Sequence, residues 1–385
     1  MNSSALALLR DHPLVFFTGG TALRELSRCF AARGCHTTHL VTTFDSGGST
    51  ARLRAAFAMP AVGDLRNRLL ALADTKACGL PLVRCLETRF PKEGDQEALR
   101  KDLRAMARPD HVVWEGLGSA TALCLQSCLD TFLSAMPANF DAREASLGNI
   151  CMTGKYLQEH RSLSAVMGLF SRLLHIHGEV LPIVEESLHL AARLRDGTLL
   201  VGQHHFKDLT SPIVRFFLTV SEPDRAERGT ALPVACRPRA ASPALARLRE
   251  AGLVCYPMGS FFSSVLANLL AEGTGHIIAD LSCPKVFIPN TGTDRELLGQ
   301  SLTDQLGMLI DTLRVDAPKA RARDLVSHVL LDTKNGQYAG DLPALRLWTE
   351  NLDIDLLDCD MVTARGCAHD PHKTAQALLR LLGME

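Results

Sequence analysis

Five short segments concentrate the residues able to do chemistry: TGGTAL from Thr18 to Leu23, FDSGGSTARLR from Phe44 to Arg54, GDLRN from Gly63 to Asn67, PMGSFFSSVLANLL from Pro257 to Leu270, and NTGTD from Asn290 to Asp294. In the first, Gly19 and Gly20 let the main chain approach a phosphate, and Thr18 or Thr21 can donate a hydroxyl. In the second, Asp45 can hold a cation or accept a substrate hydroxyl. Gly47 and Gly48 form an anion nest between Ser46 and Ser49, backed by the charge of Arg52 or Arg54. Asp64 in the third segment is placed as a helix N-cap, and Arg66 and Asn67 in the turn after it can face a ligand. Gly259 and Ser260 repeat the glycine-hydroxyl design far along the chain, with Ser263 and Ser264 in the helical turn that follows. Asn268 lies inside that helix and reads as a packing amide, while Asn290 opens a further polar strand end. Segments of one chemical character, each after an apolar run, point to a phosphate-rich ligand.

The sequence holds no GxGxxG fingerprint, no P-loop lysine motif and no GxSxG elbow. Two kinds of activity remain: direct group transfer, in which orientation and charge neutralisation supply the catalysis, or binding without turnover.

These segments need elements to hold them. Leu14 to Thr18 is an apolar run ending in glycines, after which Leu23, Leu26, Cys29 and Phe30 recur at helical spacing; His39 to Thr43 then reads as a second strand, and a helix follows from Asp64. Two strand-to-helix units in succession predict right-handed crossovers and a parallel sheet covered by helices. Glu97 to Lys155 is mostly helical. LHLAARLRDGTLLVG carries a hairpin signal, Ile213 to Val220 reads as a strand, and the proline-containing stretch Leu232 to Pro243 as a loop. Alternation then returns, with strands at Leu253 to Pro257 and Lys285 to Ile288, helices over Phe262 to Leu270 and Arg295 to Leu313, and the same pattern to the end. The expectation is one doubly wound, mostly parallel α/β unit over residues 1–385, with an inserted helical and hairpin section.

Composition narrows the partners. The net charge of −1 excludes a whole-molecule field for nucleic acid or anionic lipid, so charged ligands must be held locally. The 41 basic residues comprise 32 Arg and 9 Lys, a bias towards the side chain whose fork matches phosphate oxygens. No apolar stretch is long enough for a membrane helix, and the start, MNSSALALLRDHPLVFF, lacks the features of a secretory signal, which places the protein in the cytoplasm. The 12 cysteines include no CxxC pair and read as reduced core residues; His175, His177, His204 and His205 lack ligand partners at metal spacing.

In order, TGGTAL, TTFDSGGSTARLR, AVGDLRN, LGNICM at Leu147 to Met152 (with Asn149) and PMGSFFSSVLANLL resemble the motifs of the 2-phospho-L-lactate transferase family and its gluconeogenesis-factor relatives, which bind nucleotide sugars. The resemblance covers Leu14 to Leu309 and leaves 315–385 as a C-terminal α/β extension. It implies a three-layer α/β/α Rossmann-like fold, a homodimer, and a site made by these loops. In the transferase branch, the family moves a phospholactate group from a nucleoside-diphosphate donor to a deazaflavin hydroxyl, assisted by a divalent cation such as Mg2+. Carried onto this chain, Asp45 would orient the acceptor or hold the metal, with Asp64 and Arg66 in the catalytic set and Arg52, Arg54 and Arg66 neutralising phosphate. Departures are visible: Ser46 stands where the family has a second carboxylate, Met258 replaces a proline and Phe262 a tyrosine. Two readings follow, a transferase using a nucleotide-linked donor and a non-catalytic sensor of a nucleotide sugar.

Overall fold

The computed structural model describes residues 9–221, 234–366 and 368–384, so the first eight residues of the leader stretch and the start of the Leu232–Pro243 loop lie outside it. β1 (Leu14–Thr18) is buried along its whole length. Successive side chains of a strand point to opposite faces, and here both faces are covered: Leu14 and Phe16 join one hydrophobic cluster with Leu26 and Phe30, while Val15 and Phe17 join another with Tyr256 and Phe262. α1 (Arg24–Ala32) carries the chain back to β2 (Thr37–Val41), which pairs parallel with β1. α2 (Gly48–Phe57) and α3 (Gly63–Leu72) follow the β2 loop.

The predicted helical section is present. Its longest members, α4 (Ser119–Ala135) and α5 (Leu147–Gln158), approach so closely that a Cβ on Gly154 would stand 2.6 Å from the Cys128 carbonyl carbon. β3 (Glu179–Pro182) returns to the sheet beside β2. The expected hairpin is β4 (His189–Leu194) with β5 (Leu199–Val201); with β6 (Ile213–Thr219) and β7 (Ala235–Cys236) it forms a separate four-stranded antiparallel sheet. β7 lies within the stretch read as a loop, because its two residues pair with Leu218 and Thr219 of β6, a contact invisible to local pattern.

β8 (Leu253–Tyr256), β9 (Lys285–Phe287), β10 (His328–Leu331) and β11 (Asp355–Asp358) complete a seven-stranded sheet in the order β11-β10-β9-β8-β1-β2-β3, every pair parallel. The C-terminal strands β10 and β11 form one flank of the main sheet. The continuous helix expected over Arg295 to Leu313 is divided instead. A short turn, Arg295–Leu297, stops before Gly299 at φ +69, and Ser301 opens α6 (Leu302–Arg314) with a capping box to Asp304. The segment after β8 begins as a wide π-helical coil, Phe261–Leu266, before tightening at Ala267–Leu269. The last helix, α7 (Pro371–Leu381), packs against α1.

One feature of the strand order places the site. From β1 the chain builds outward through β2 and β3 on one side, then restarts at β8 on the other. The gap beyond the carboxyl ends of β1 and β8 is a topological switch point, where parallel sheets open a crevice for ligands.

Candidate active site

The loops leaving β1 and β8 face each other across that gap. A cavity of about 190 Å3 is walled by Thr18 to Leu23 on one side and by Pro257 to Ser260 with Ser264 on the other, with Asp64, Arg68 and Gln203 completing it. Gly19 cannot be another residue without movement: an added Cβ would come 2.8 Å from the Cβ of Ser264. A second cavity of about 540 Å3 shares Gln203 and Ser260 with the first and adds Asp45, His204, Asn290 and Asp294. A third, of about 270 Å3, shares Gly20 and Thr21 and adds Arg66 and Asn67. Asp45, Arg66 and Gly259, far apart in sequence, thus line cavities that share walls with one another.

Two carboxylates meet there. Asp45 closes an Asx turn, its Oδ1 accepting from the Gly47 N–H at 2.9 Å. Asp64 lies in the first turn of α3, whose N-cap is Val62, so it does not act as the cap its position led us to expect. It accepts from the Thr42 hydroxyl at 3.4 Å and presses against the glycine turn, where added Cβ atoms at Gly19 and Gly20 would each lie 3.3 Å from its oxygens. Burial, and next the negative charge of Asp45, push Asp64 up to about 7; burial raises Asp45 as well. Ser46 itself is tied to the far wall, its hydroxyl 2.9 Å from His204 Nδ1 and accepting from the His204 N–H at 3.3 Å.

Arginines divide into scaffold and lining. Arg54 is buried and donates to the carbonyls of Phe44, Asp45 and Met59 at 3.0, 2.9 and 3.3 Å, and to that of Leu188, so it shapes the Asp45 loop instead of backing the glycine nest as expected. Arg52 turns to Asp141 and Glu144, at 3.2 and 3.7 Å, rather than to the cleft. Arg66 is 6% exposed and lines the third cavity, donating to Ser146 Oγ and, at 3.0 Å, to Asn67 Oδ1. Sequence reading passed over Arg68, which is fully buried and donates to the carbonyls of Gly19 at 3.2 Å and Gly20 at 3.0 Å, and to Ser27 Oγ at 2.8 Å. The available signal was its position one helical turn after Asp64, which puts both on one face of α3.

The remaining predicted residues mostly build the cleft. Thr18 keeps its hydroxyl buried without a partner, and its carbonyl accepts from Asn268 Nδ2 at 3.0 Å, so Asn268, carried over as a phosphate-binding residue, ties the β1 end to the β8 helix instead. Ser49 accepts from Ser146 N and, at 3.5 Å, from Asn149 Nδ2. Gly48, at φ +47, has nothing within 4 Å of an added Cβ, and Gly47 is the N-cap of α2. Gly259 is clasped by Asn290, which accepts from its N–H at 2.8 Å and donates to its carbonyl at 2.6 Å.

The amides that follow are already occupied. Phe261 N–H donates to Asp294 at 3.2 Å, and the N–H groups of Phe262 and Ser263 donate to Glu296 at 3.0 and 2.9 Å; the Ser263 hydroxyl does the same. The phosphate cradle expected at this helix start is therefore filled by the chain's own carboxylates, with Ser260 and Ser264 left facing the cavity. Glu296 went unnoticed because the sequence reads it as part of a longer helix. Burial pushes it up to about 7.

Fold and site together define a Rossmann-like α/β protein with a polar cleft at its switch point. The chain belongs to the 2-phospho-L-lactate transferase CofD family, whose model matches residues 14–356, beyond the Leu309 limit of the motif resemblance. It is 26% identical over 341 residues to a gluconeogenesis factor of Halalkalibacterium halodurans, covering 86% of this chain and 82% of that one. A gluconeogenesis factor of Bacillus subtilis is 25% identical over 381 residues, covering 96% and 98%. A crystal structure of a UPF0052 family protein from Bacillus halodurans superposes with a TM-score of 0.69 at 22% identity, covering 95% of this chain and 98% of that chain, so the fold is shared. Among the described residues, no group of three or more His, Cys, Asp and Glu is placed to hold a metal ion, and no helix is long and apolar enough to cross a membrane.

Proposed function

We propose that the protein transfers a phosphorylated group from a nucleoside-diphosphate donor to the hydroxyl of a small acceptor. The observation that carries this is the pairing of Asp45 and Asp64 beside the Gly19–Gly20 turn, at the edge of a cleft lined by polar groups. The Gly20, Thr21 and Ser260 edges would receive the donor's phosphate oxygens. The acceptor oxygen forms its bond to the outer phosphorus as the bond from that phosphorus to the nucleotide's oxygen breaks, and nucleoside monophosphate departs. Asp45, the more exposed of the pair, orients the acceptor hydroxyl and takes its proton, while Asp64 holds the charge of the neighbouring centre.

Two buried carboxylates, Asp64 raised further by the negative charge of Asp45, fit Mg2+, which takes one or two carboxylates and completes its shell with phosphate oxygens and water. Asp45 and Asp64 would hold it, and the ion would neutralise phosphate charge.

A second reading, retention of a nucleotide sugar without turnover, is favoured by the engagement of Ser46 with His204, which leaves that position with no charge of its own. Mass spectrometry of the small molecule that copurifies with the native protein, followed by incubation with Mg2+ and hydroxyl acceptors, separates the two. Release of nucleoside monophosphate supports transfer; recovery of an intact nucleotide sugar under every condition overturns it.

A further inference from the structure

The third cavity carries more positive charge than the proposed transfer uses. Arg24, Arg66 and Arg89 all line it, with Glu87 as the single carboxylate and Asn67, Gly20 and Thr21 completing the wall. Arg24 spends one contact on Glu87, at 3.0 Å, and Arg89 one on the Glu144 carbonyl, also at 3.0 Å. Each guanidinium has five N–H groups in a fixed fork, so most donors remain. Arg66 is the decisive member: it is more than nine-tenths buried, and its Nε has no hydrogen-bond partner. A buried donor left unpaired is costly, and three like charges gathered at one opening repel one another; an anion seated among them relieves both. Burial, with Arg89 next, lowers Arg66 to about 10, the direction expected where cations outnumber anions.

Asn67 points the same way. Its Oδ1 is taken by Arg66, so the amide nitrogen is the end left to donate. Arg24 and Arg89 lie outside the motifs that carried the family resemblance.

We propose that the cavity between the Gly20–Thr21 turn and Arg89 is a second anion site, built by Arg24, Arg66, Arg89 and Asn67 to take a phosphate-type dianion, free or as a monoester. It is joined to the Asp45–Asp64 cleft only through Gly20 and Thr21. The inference rests on the proposed function in one respect, namely that the nucleotide's own phosphates occupy the neighbouring cavity. It assigns the bound complex an additional anion.

Calorimetric titration with inorganic phosphate and with glycerol phosphate at low salt tests it, on the wild-type chain and on an Arg24→Ala/Arg89→Ala double variant. Arg24 is half-buried and Arg89 exposed, so the variant retains the buried Arg66 and the core. The expected result is binding of at least one probe to the wild type and a loss of tenfold or more in the variant, with affinity for UDP or GDP unchanged in both. The tighter probe tells free phosphate from a monoester. Equal phosphate affinity in the two proteins, or no binding of either probe to the wild type, overturns the second site. A parallel fall in nucleotide affinity also overturns it, since the cavity would then be part of the nucleotide's own site. If neither nucleotide binds the wild type while phosphate binding is lost in the variant, the proposed function fails and the anion site stands.

Discussion

Arg68 donates a hydrogen bond of 3.0 Å to the carbonyl of Gly20, so the main chain that forms the floor of the cleft is held by a buried guanidinium reaching up from α3. The charge of the same side chain opposes the rise in the Asp64 carboxyl that burial causes.

Replacing Arg68 with Met removes both functions at once. The carbonyls of Gly19 and Gly20 lose a donor, and Asp64 becomes a buried carboxyl without its cation. Leaving a buried acceptor unpaired costs about 1–3 kcal/mol, so chemical denaturation is expected to show a marked loss of stability. An unchanged midpoint and slope would remove the role given to Arg68.

Asp45→Asn leaves the shape of the turn, because an amide oxygen can still accept from Gly47, but it removes the base. Turnover is expected to fall by about 10²-fold or more, within the range of general base catalysis, with nucleotide affinity changed little. Asp64→Asn is expected to be stable, since it removes a charge that burial already opposes, yet equally impaired in transfer. Steady-state kinetics beside nucleotide titration checks both. Activity preserved in Asp45→Asn would take the acceptor-side role away from it.

Gly19→Ala and Gly48→Ala should behave differently although both are loop glycines. At position 19 the methyl group runs into Ser264, which belongs to the helix after β8, so the two walls of the cleft must part at a cost of about 1–3 kcal/mol. At position 48 there is open space, and the only cost is the left-handed backbone at φ +47, about 1 kcal/mol. Thermal unfolding of the two variants orders them; equal losses would contradict the packing.

Glu296 gives stability a pH dependence whose sign is fixed by its raised value. Its folded-state pKa, about 7, lies above its ordinary 4.5, because burial, with the neighbouring Asp294 adding to it, outweighs the hydrogen bonds from Ser263 and Phe262. Between those values the folded protein binds the extra proton, so this contribution is present below about pH 4.5 and is lost as pH rises towards 7. The loss is at most about 3 kcal/mol. Glu296→Gln is expected to flatten the fall in stability between pH 5 and 8, as read from denaturation midpoints. An identical pH profile in both proteins would rule out Glu296 as its source.

Local pattern alone revealed the parallel α/β alternation, the hairpin, and the polar loops at strand ends, because apolar periodicity and glycine turns are properties of neighbouring residues. It marked Asp45, Asp64 and Arg66 as chemically able without saying that Asp45 and Asp64 would share one field, since that depends on α3 folding back across β2. Tertiary structure alone gave Arg54 and Arg52 their partners, filled the amides at Phe262 and Ser263 with Glu296, and gathered Arg24 and Arg89 around Arg66. Each of those outcomes is a contact between segments distant along the chain. Which of several able residues meets a ligand is decided by the strand order, and strand order is set by the packing of the whole sheet.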